Sequence, residues 1–176
     1  MTEFKKWPSI PRYKGVQVTI TEKMDGSNGC IVVQDGVVVA VQSRNTFITT
    51  EQDNYGFARW VEENKDELAK LGDGYHYGEW VGPGIQKNPH KLEEKCFFLF
   101  NSFRWGSHNP NTPSCCKVVP IIYQGPLPNL QIIMENLKVS GEDSGYEPEG
   151  IVIFYHNLNS YEKMTFKNPE GKWKSQ

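Results

Sequence analysis

The sequence predicts an α+β domain built on mainly antiparallel sheet, with two helices interrupting the strands. Three observations predict it. Apolar–polar alternation of strand type recurs, as in "VQVTIT" at residues 16–21. "QDG" at 34–36 separates two β-branched runs and signals a hairpin, because Asp-Gly tolerates the positive φ angles of tight turns. Apolar residues at helical spacing occur in two places, one mid-chain and one late. The 176 residues, 38% hydrophobic and 12% aromatic, suffice for one domain with a sizeable core. No repeat, low-complexity stretch or linker divides them, so a single domain over residues 1–176 is expected.

The elements follow in order. Residues 1–15 hold Pro8, Pro11 and Gly15 and read as an arm leading into the fold. Strands are expected at 16–21, 29–33 and 37–41, with Lys23 in the first connection. Phe57, Trp60, Val61, Leu68 and Leu71 fall on one helical face; Thr50 with Asp53 offers a start and Gly72 a stop. Two strands follow at 75–81 and 96–103. "RWGSHNPNTPSCCK" is a loop by composition, and 118–123 is a further strand. Leu130, Ile133, Met134 and Leu137 mark a second helix, capped by Asn129 and ended before Gly141. Strands at 150–155 and 163–167 close the domain.

The net charge is -2, so the chain lacks the basic balance of a general nucleic-acid binder, although a local basic face remains compatible with that total. Cys30, Cys96, Cys115 and Cys116 form no Cys-x-x-Cys pair and have no histidine at zinc-finger spacing. Reduced thiols and a cytoplasmic location are therefore expected. No apolar run has the length of a signal peptide or a membrane span.

Six short segments carry chemistry. "EKMDGSN" (22–28) sets a lysine before a glycine turn. "SRN" (43–45) places Arg44 at a hairpin strand end. "YGEWVGPGIQ" (77–86) holds Glu79 among glycines. "FFLFN" (97–101) supplies strand aromatics, "EPEGIVIF" (147–154) starts a strand at Glu149, and "KMTFKN" (163–168) ends near Lys167. Singly, each has an ordinary reading: a turn, a solvated charge or a core ring. Their fixed order, each at a strand or strand end, is what distinguishes them.

That ordered set resembles the covalent nucleotidyltransferases, the superfamily of polynucleotide ligases and mRNA capping enzymes. The six motifs fall on Lys23, Arg44, Glu79, Phe100, Glu149 and Lys167, spanning Glu22 to Asn168. "GEWVGPGIQ" and "DGSN" after the lysine are similar to the nick-sealing type of RNA ligase; DNA ligases tend to carry arginine where Asn28 stands. The resemblance implies a nucleotidyltransferase (ATP-grasp-like ligase) fold of two packed, mainly antiparallel sheets with flanking helices, and a pocket between the sheets. It implies an ATP-dependent RNA ligase acting through lysyl-AMP, AMP transfer to a 5′-phosphate and phosphodiester formation with a 3′-OH. A minimal DNA ligase, a guanylyltransferase or a nucleotide-binding relative without turnover are the alternatives. The substrate would be RNA, with DNA as a further possibility, and no membrane partner is expected.

The same resemblance implies roles. Lys23 attacks the α-phosphate as a neutral amine, although an ordinary lysine titrates near 10.4. Glu149 holds magnesium or manganese, which favour carboxylate oxygen. Lys167 stabilises phosphate charge. Glu79 accepts from a ribose hydroxyl, Phe100 stacks on adenine, and the planar fork of Arg44 suits phosphate. Glu22, Gly26 and Asn28 complete the nucleotide site, Gly26 by letting backbone approach the nucleotide. Asn28 and Arg44, with Lys5 and Lys6 of a basic, aromatic arm (Trp7, Arg12, Tyr13, Lys14), are candidates for the polynucleotide. Two departures stand out. The last motif commonly reads Lys-x-Lys, yet Thr165 stands at the earlier position; Lys163 lies two residues back on the same strand face. Nine residues follow Lys167, so a bare catalytic domain is expected, with no OB or helical C-terminal domain.

Overall fold

Ten strands and three helices form two sheets in the computed structural model, which describes residues 3–10, 12 and 15–167. Strand β1 (Gln17–Glu22) follows the alternation of "VQVTIT": Val18 and Ile20 turn to one face, Thr19 and Thr21 to the other. β1 lies between β8 (Ile121–Pro126) and β9 (Gly150–Tyr155), and β10 (Ser160–Thr165) flanks β9, all antiparallel. Helix α3 (Leu130–Ser144) covers the outer face of this sheet, where Met134 and Leu137 pack with Val18, Ile20, Ile151 and Ile153.

The second sheet has six strands: β2 (Ser27–Gln34), β3 (Val37–Gln42), β4 (Phe47–Ile48), β5 (Gly74–Val81), β6 (Cys96–Leu99) and β7 (Cys116–Val118). Their spatial order is β4-β3-β2-β5-β6-β7, with only β6 and β7 parallel. Helices α1 (Phe57–Glu63) and α2 (Lys65–Leu68) cover its outer face. Phe57 sits against Trp80 and Phe97, at centroid distances of 5.3 and 4.8 Å. Side chains of this size each contribute about 1.5–3 kcal/mol when fully buried. Two cores thus lie on the outer faces of the sheets, and the two inner faces are left to line the space between them.

The α+β class, the two mainly antiparallel sheets and the 34–36 hairpin agree with the sequence reading; Asp35 and Gly36 hold φ angles of 52° and 72°. Several details differ. β1 and β2 belong to different sheets, so the Lys23 connection is a crossover and not part of a hairpin. The strand expected at 118–123 is two strands in two sheets, because Pro120 has no N–H to continue a ladder. The mid-chain helix breaks at Asn64, whose side-chain amide donates to Trp60 O at 2.8 Å. Its start is Phe57: the Asp53 carboxylate takes the N–H groups of Ala58 and Arg59, while Thr50 donates to Glu51.

The Asn129 cap forms as expected, accepting from Gln131 N at 3.0 Å. Helix α3 then runs past Gly141 to Ser144 and is closed by Gly145 at φ 73°. A side chain at Gly141 would lie 2.5 Å from Pro148 Cδ, so this glycine admits the segment that leads to Glu149. Strand β6 ends at Leu99, before the expected 103, and β10 ends at Thr165, which puts Lys167 in the turn beyond it. Arm residues Phe4, Trp7 and Ile10 are more than four-fifths exposed. Tyr13, Lys14 and the tail after Lys167 lie outside the described residues.

Candidate active site

Neighbouring ends of β1 and β9 bring a lysine and a glutamate together. The register pairs Glu22 with Ile151, and Lys23 N donates to Gly150 O at 2.9 Å. The side chains follow: Lys23 Nζ donates to Glu149 Oε2 at 2.6 Å, with the two side chains 22% and 29% exposed. This pair belongs to the four-stranded sheet.

The six-stranded sheet contributes a hydrogen-bonded series. Asn28 on β2 lies opposite Glu79 on β5 and donates through Nδ2 to Glu79 Oε2 at 2.8 Å. Arg44, in the loop after β3, donates from Nε to Asn28 Oδ1 at 2.7 Å. Burial pushes the Glu79 carboxyl up to about 7; the negative charge of Glu149 adds to the rise and the positive charge of Lys23 opposes it. A carboxyl raised in the folded state holds its proton where the unfolded chain has lost it. Its contribution to stability is present at low pH and is lost as pH rises from 4.5 through about 7. Glu79→Gln keeps the acceptor for Asn28 and removes the titration. Thermal midpoints should fall more steeply across that window in wild type than in Glu79→Gln; parallel profiles would count against a raised carboxyl.

The turn between β1 and β2 locks onto β5. A side chain on Gly26 would meet Trp80 O at 2.3 Å and Glu79 Cγ at 3.0 Å. The structure gives this glycine a close approach to β5. Its effect is to seat Glu79 under the Lys23 turn, where Gly26 also gives Glu79 a backbone hydrogen bond.

Lys23, Asn28, Arg44, Glu79 and Phe100 all line one cleft of about 750 Å³ between the inner sheet faces. Phe100 is 41% exposed in that cleft, whereas Phe98 is buried with Met24, Val81 and Val119. Glu22 also lines the cleft, but its carboxylate is engaged elsewhere. His90 Nε2 lies 2.9 Å from Oε1, and the Tyr146 hydroxyl donates to Oε2 at 3.3 Å. Burial, followed by the Glu22 charge, pushes the Tyr146 phenol up to about 12. Glu22 therefore ties the loop after β5 and the segment after α3 to β1.

Glu149 and Lys167 lie in a second cleft of about 1310 Å³ on the far side of the Lys23–Glu149 pair. Lys163 lines both clefts, so β10 supplies a cation although Thr165 replaces the expected lysine. Lys5 and Lys6 line neither cleft. Among the described residues, no cluster of three His, Cys, Asp or Glu side chains could hold a metal ion. Glu149 Oε1 takes no hydrogen bond among those residues. One carboxylate oxygen completed by substrate phosphates and water is an arrangement magnesium commonly adopts, so the donor set fits a divalent ion held jointly with a phosphate ligand.

Some lining residues escaped the sequence reading. Tyr75 and Tyr77 stand on the Glu79 side of β5 with rings stacked 6.4 Å apart, a placement that the alternation of "YHYGE" could have disclosed. Phe103, Phe154 and Tyr161 line the same cleft, the Phe154 ring lying 5.9 Å from Phe103 and 4.7 Å from Tyr161. His90 reaches Glu22 across 68 residues and left no local signal.

Residues 16–167 match the family model described as RNA ligase. Two solved structures of Naegleria gruberi RNA ligase share the fold. One, a mutant with ATP and Mn, has 20% identity and a TM-score of 0.61 over 86% of this chain and 50% of that one. The other, with PPi, has 22% identity and a TM-score of 0.59 over the same shares. This chain spans about half the length of those it matches. No curated protein matches it.

Proposed function

Because this chain belongs to the RNA ligase family, we propose that it is an ATP-dependent RNA ligase that carries AMP on Lys23. The observation that carries this reading is the convergence of Lys23, Glu149, Glu79, Asn28 and Arg44. They come from separate segments of two sheets: Lys23, Asn28, Arg44 and Glu79 line one nucleotide-sized cleft, and Glu149 is joined to it by its hydrogen bond to Lys23.

In the first step, Lys23 Nζ attacks the α-phosphorus of ATP. A P–N bond forms, the bond from α-phosphorus to the bridging oxygen breaks, and pyrophosphate leaves while the amine gives up a proton. A 5′-phosphate oxygen of the polynucleotide then attacks the same phosphorus and regenerates Lys23. A 3′-hydroxyl finally attacks the 5′-phosphorus, loses its proton and expels AMP.

The side chains suit these steps. Glu149 fixes Nζ through the 2.6 Å hydrogen bond. A divalent ion held by Glu149 would supply positive charge beside the amine and the α-phosphate. Lys163 adds a fixed cation from the adjacent strand. Glu79, held by Asn28 and Gly26, offers its carboxyl to a ribose hydroxyl. Phe100 presents a ring to adenine, and Arg44 presents its remaining N–H groups to phosphate or the acceptor strand.

The test offers 5′-phosphate and 3′-hydroxyl ends with ATP and magnesium or manganese. The ends are presented as nicked RNA duplex, single-stranded RNA and the DNA counterparts, with GTP as the alternative nucleotide. Joining of RNA with ATP is the expected result. Joining of DNA alone, or transfer of GMP from GTP, would reassign the chain within the superfamily.

A further inference from the structure

The second cleft contains five lysines: Lys87 and Lys91 from the loop after β5, Lys138 from α3, and Lys163 and Lys167 from the end of the chain. Resting on the ligase reading above, we propose that it is the track for the phosphodiester backbone of the 5′-phosphorylated strand. Lys87, Lys91 and Lys138 are the strand-binding residues on this track.

Position supports this. The Lys23–Glu149 pair forms the boundary between the two clefts: Lys23 lines the first, Glu149 the second, and Lys163 both. When a 5′-phosphate meets AMP on Lys23, the adenosine of that AMP occupies the first cleft, on one side of the boundary. The strand leaves by the other side, through the second cleft.

The charged lining suits a strand. Among the described residues, Lys138 has an ion-pair partner, Glu142 at 3.9 Å, whereas Lys87 and Lys91 have none. Asp25, Glu142, Glu147 and Glu149 line the cleft with the lysines. A phosphodiester chain carries one charge per nucleotide and can set each phosphate against a separate lysine. The cleft is also larger than the one that would take adenosine, which suits a chain and exceeds the needs of a leaving group.

The experiment measures binding of a short 5′-phosphorylated RNA strand by fluorescence anisotropy across a salt series, without ATP. Binding is then readable even if Lys23 is never adenylated. Lys87→Ala, Lys91→Ala and Lys138→Ala combined should weaken binding at least about tenfold at low salt. The log–log salt slope should become shallower by about 2, since each phosphate contact to a single strand contributes about 0.7. The corresponding triple arginine variant should bind like wild type. If the triple alanine variant does not fold, Lys87→Glu at its exposed loop position should weaken binding in the same direction. Unchanged affinity and slope would overturn the proposal. So would intact strand binding combined with a raised ATP requirement for self-adenylation, because that result assigns the cleft to the pyrophosphate end of ATP.

Discussion

Lys23→Ala should carry no label after incubation with ATP labelled at the α-phosphate and magnesium or manganese, whereas wild type should retain an acid-labile, alkali-resistant adenylate. The effect is all-or-none because the substitution deletes the attacking atom, and no other amine takes its place. Of the neighbouring lysines, Lys163 reaches the first cleft from β10, but it lacks the hydrogen bond to Glu149 that fixes Lys23 Nζ. Loss of one partly exposed ion pair costs little stability. Thermal midpoints of the two proteins should therefore be close, which separates lost chemistry from lost fold. Label retained in Lys23→Ala, or absent from wild type at every metal concentration, would sink the lysyl-AMP mechanism.

Glu149→Gln should lower the rate of self-adenylation about 10²–10³-fold, the cost typical of removing one preorganised charged group from a reacting centre. Glutamine keeps the shape and can still accept from Lys23 Nζ through its carbonyl oxygen. What it loses is the charge that would hold a divalent ion with the substrate phosphates. The loss should persist at saturating ATP, and raising manganese should recover only part of it. Adenylation at near the wild-type rate by this variant would assign the metal to another group, with Glu79, which lines the cleft with Lys23, as one alternative carboxyl.

Most of the strand elements were legible because they rest on local rules. The alternation in "VQVTIT" chose which residues of β1 enter the core, and Asp-Gly chose the β2–β3 turn, with φ values that few other pairs adopt comfortably. Errors gathered where a distant partner decided. Gly141 reads as a helix stop, yet Pro148 packs onto it and α3 runs on. Residues 118–123 read as one strand, yet Pro120 divides them between two sheets. Thr50 reads as a cap, yet Asp53 reaches the helix from a better position.

By itself, the sequence determined the α+β class, the hairpin, the late helix cap and which groups are candidates for the chemistry, since lysine, carboxylates, arginine and an aromatic ring have chemistry independent of their surroundings. Only the tertiary structure decided how those groups are placed. It paired Lys23 with Glu149 across 126 residues and set Asn28 between Arg44 and Glu79. It turned the Glu22 carboxylate away to His90 and Tyr146, and it gathered five lysines from three parts of the chain into one cleft. The physical reason is range. Turn and strand preferences act over a few residues, whereas hydrogen bonds, burial and charge act on whatever the two packed sheets bring within a few ångströms.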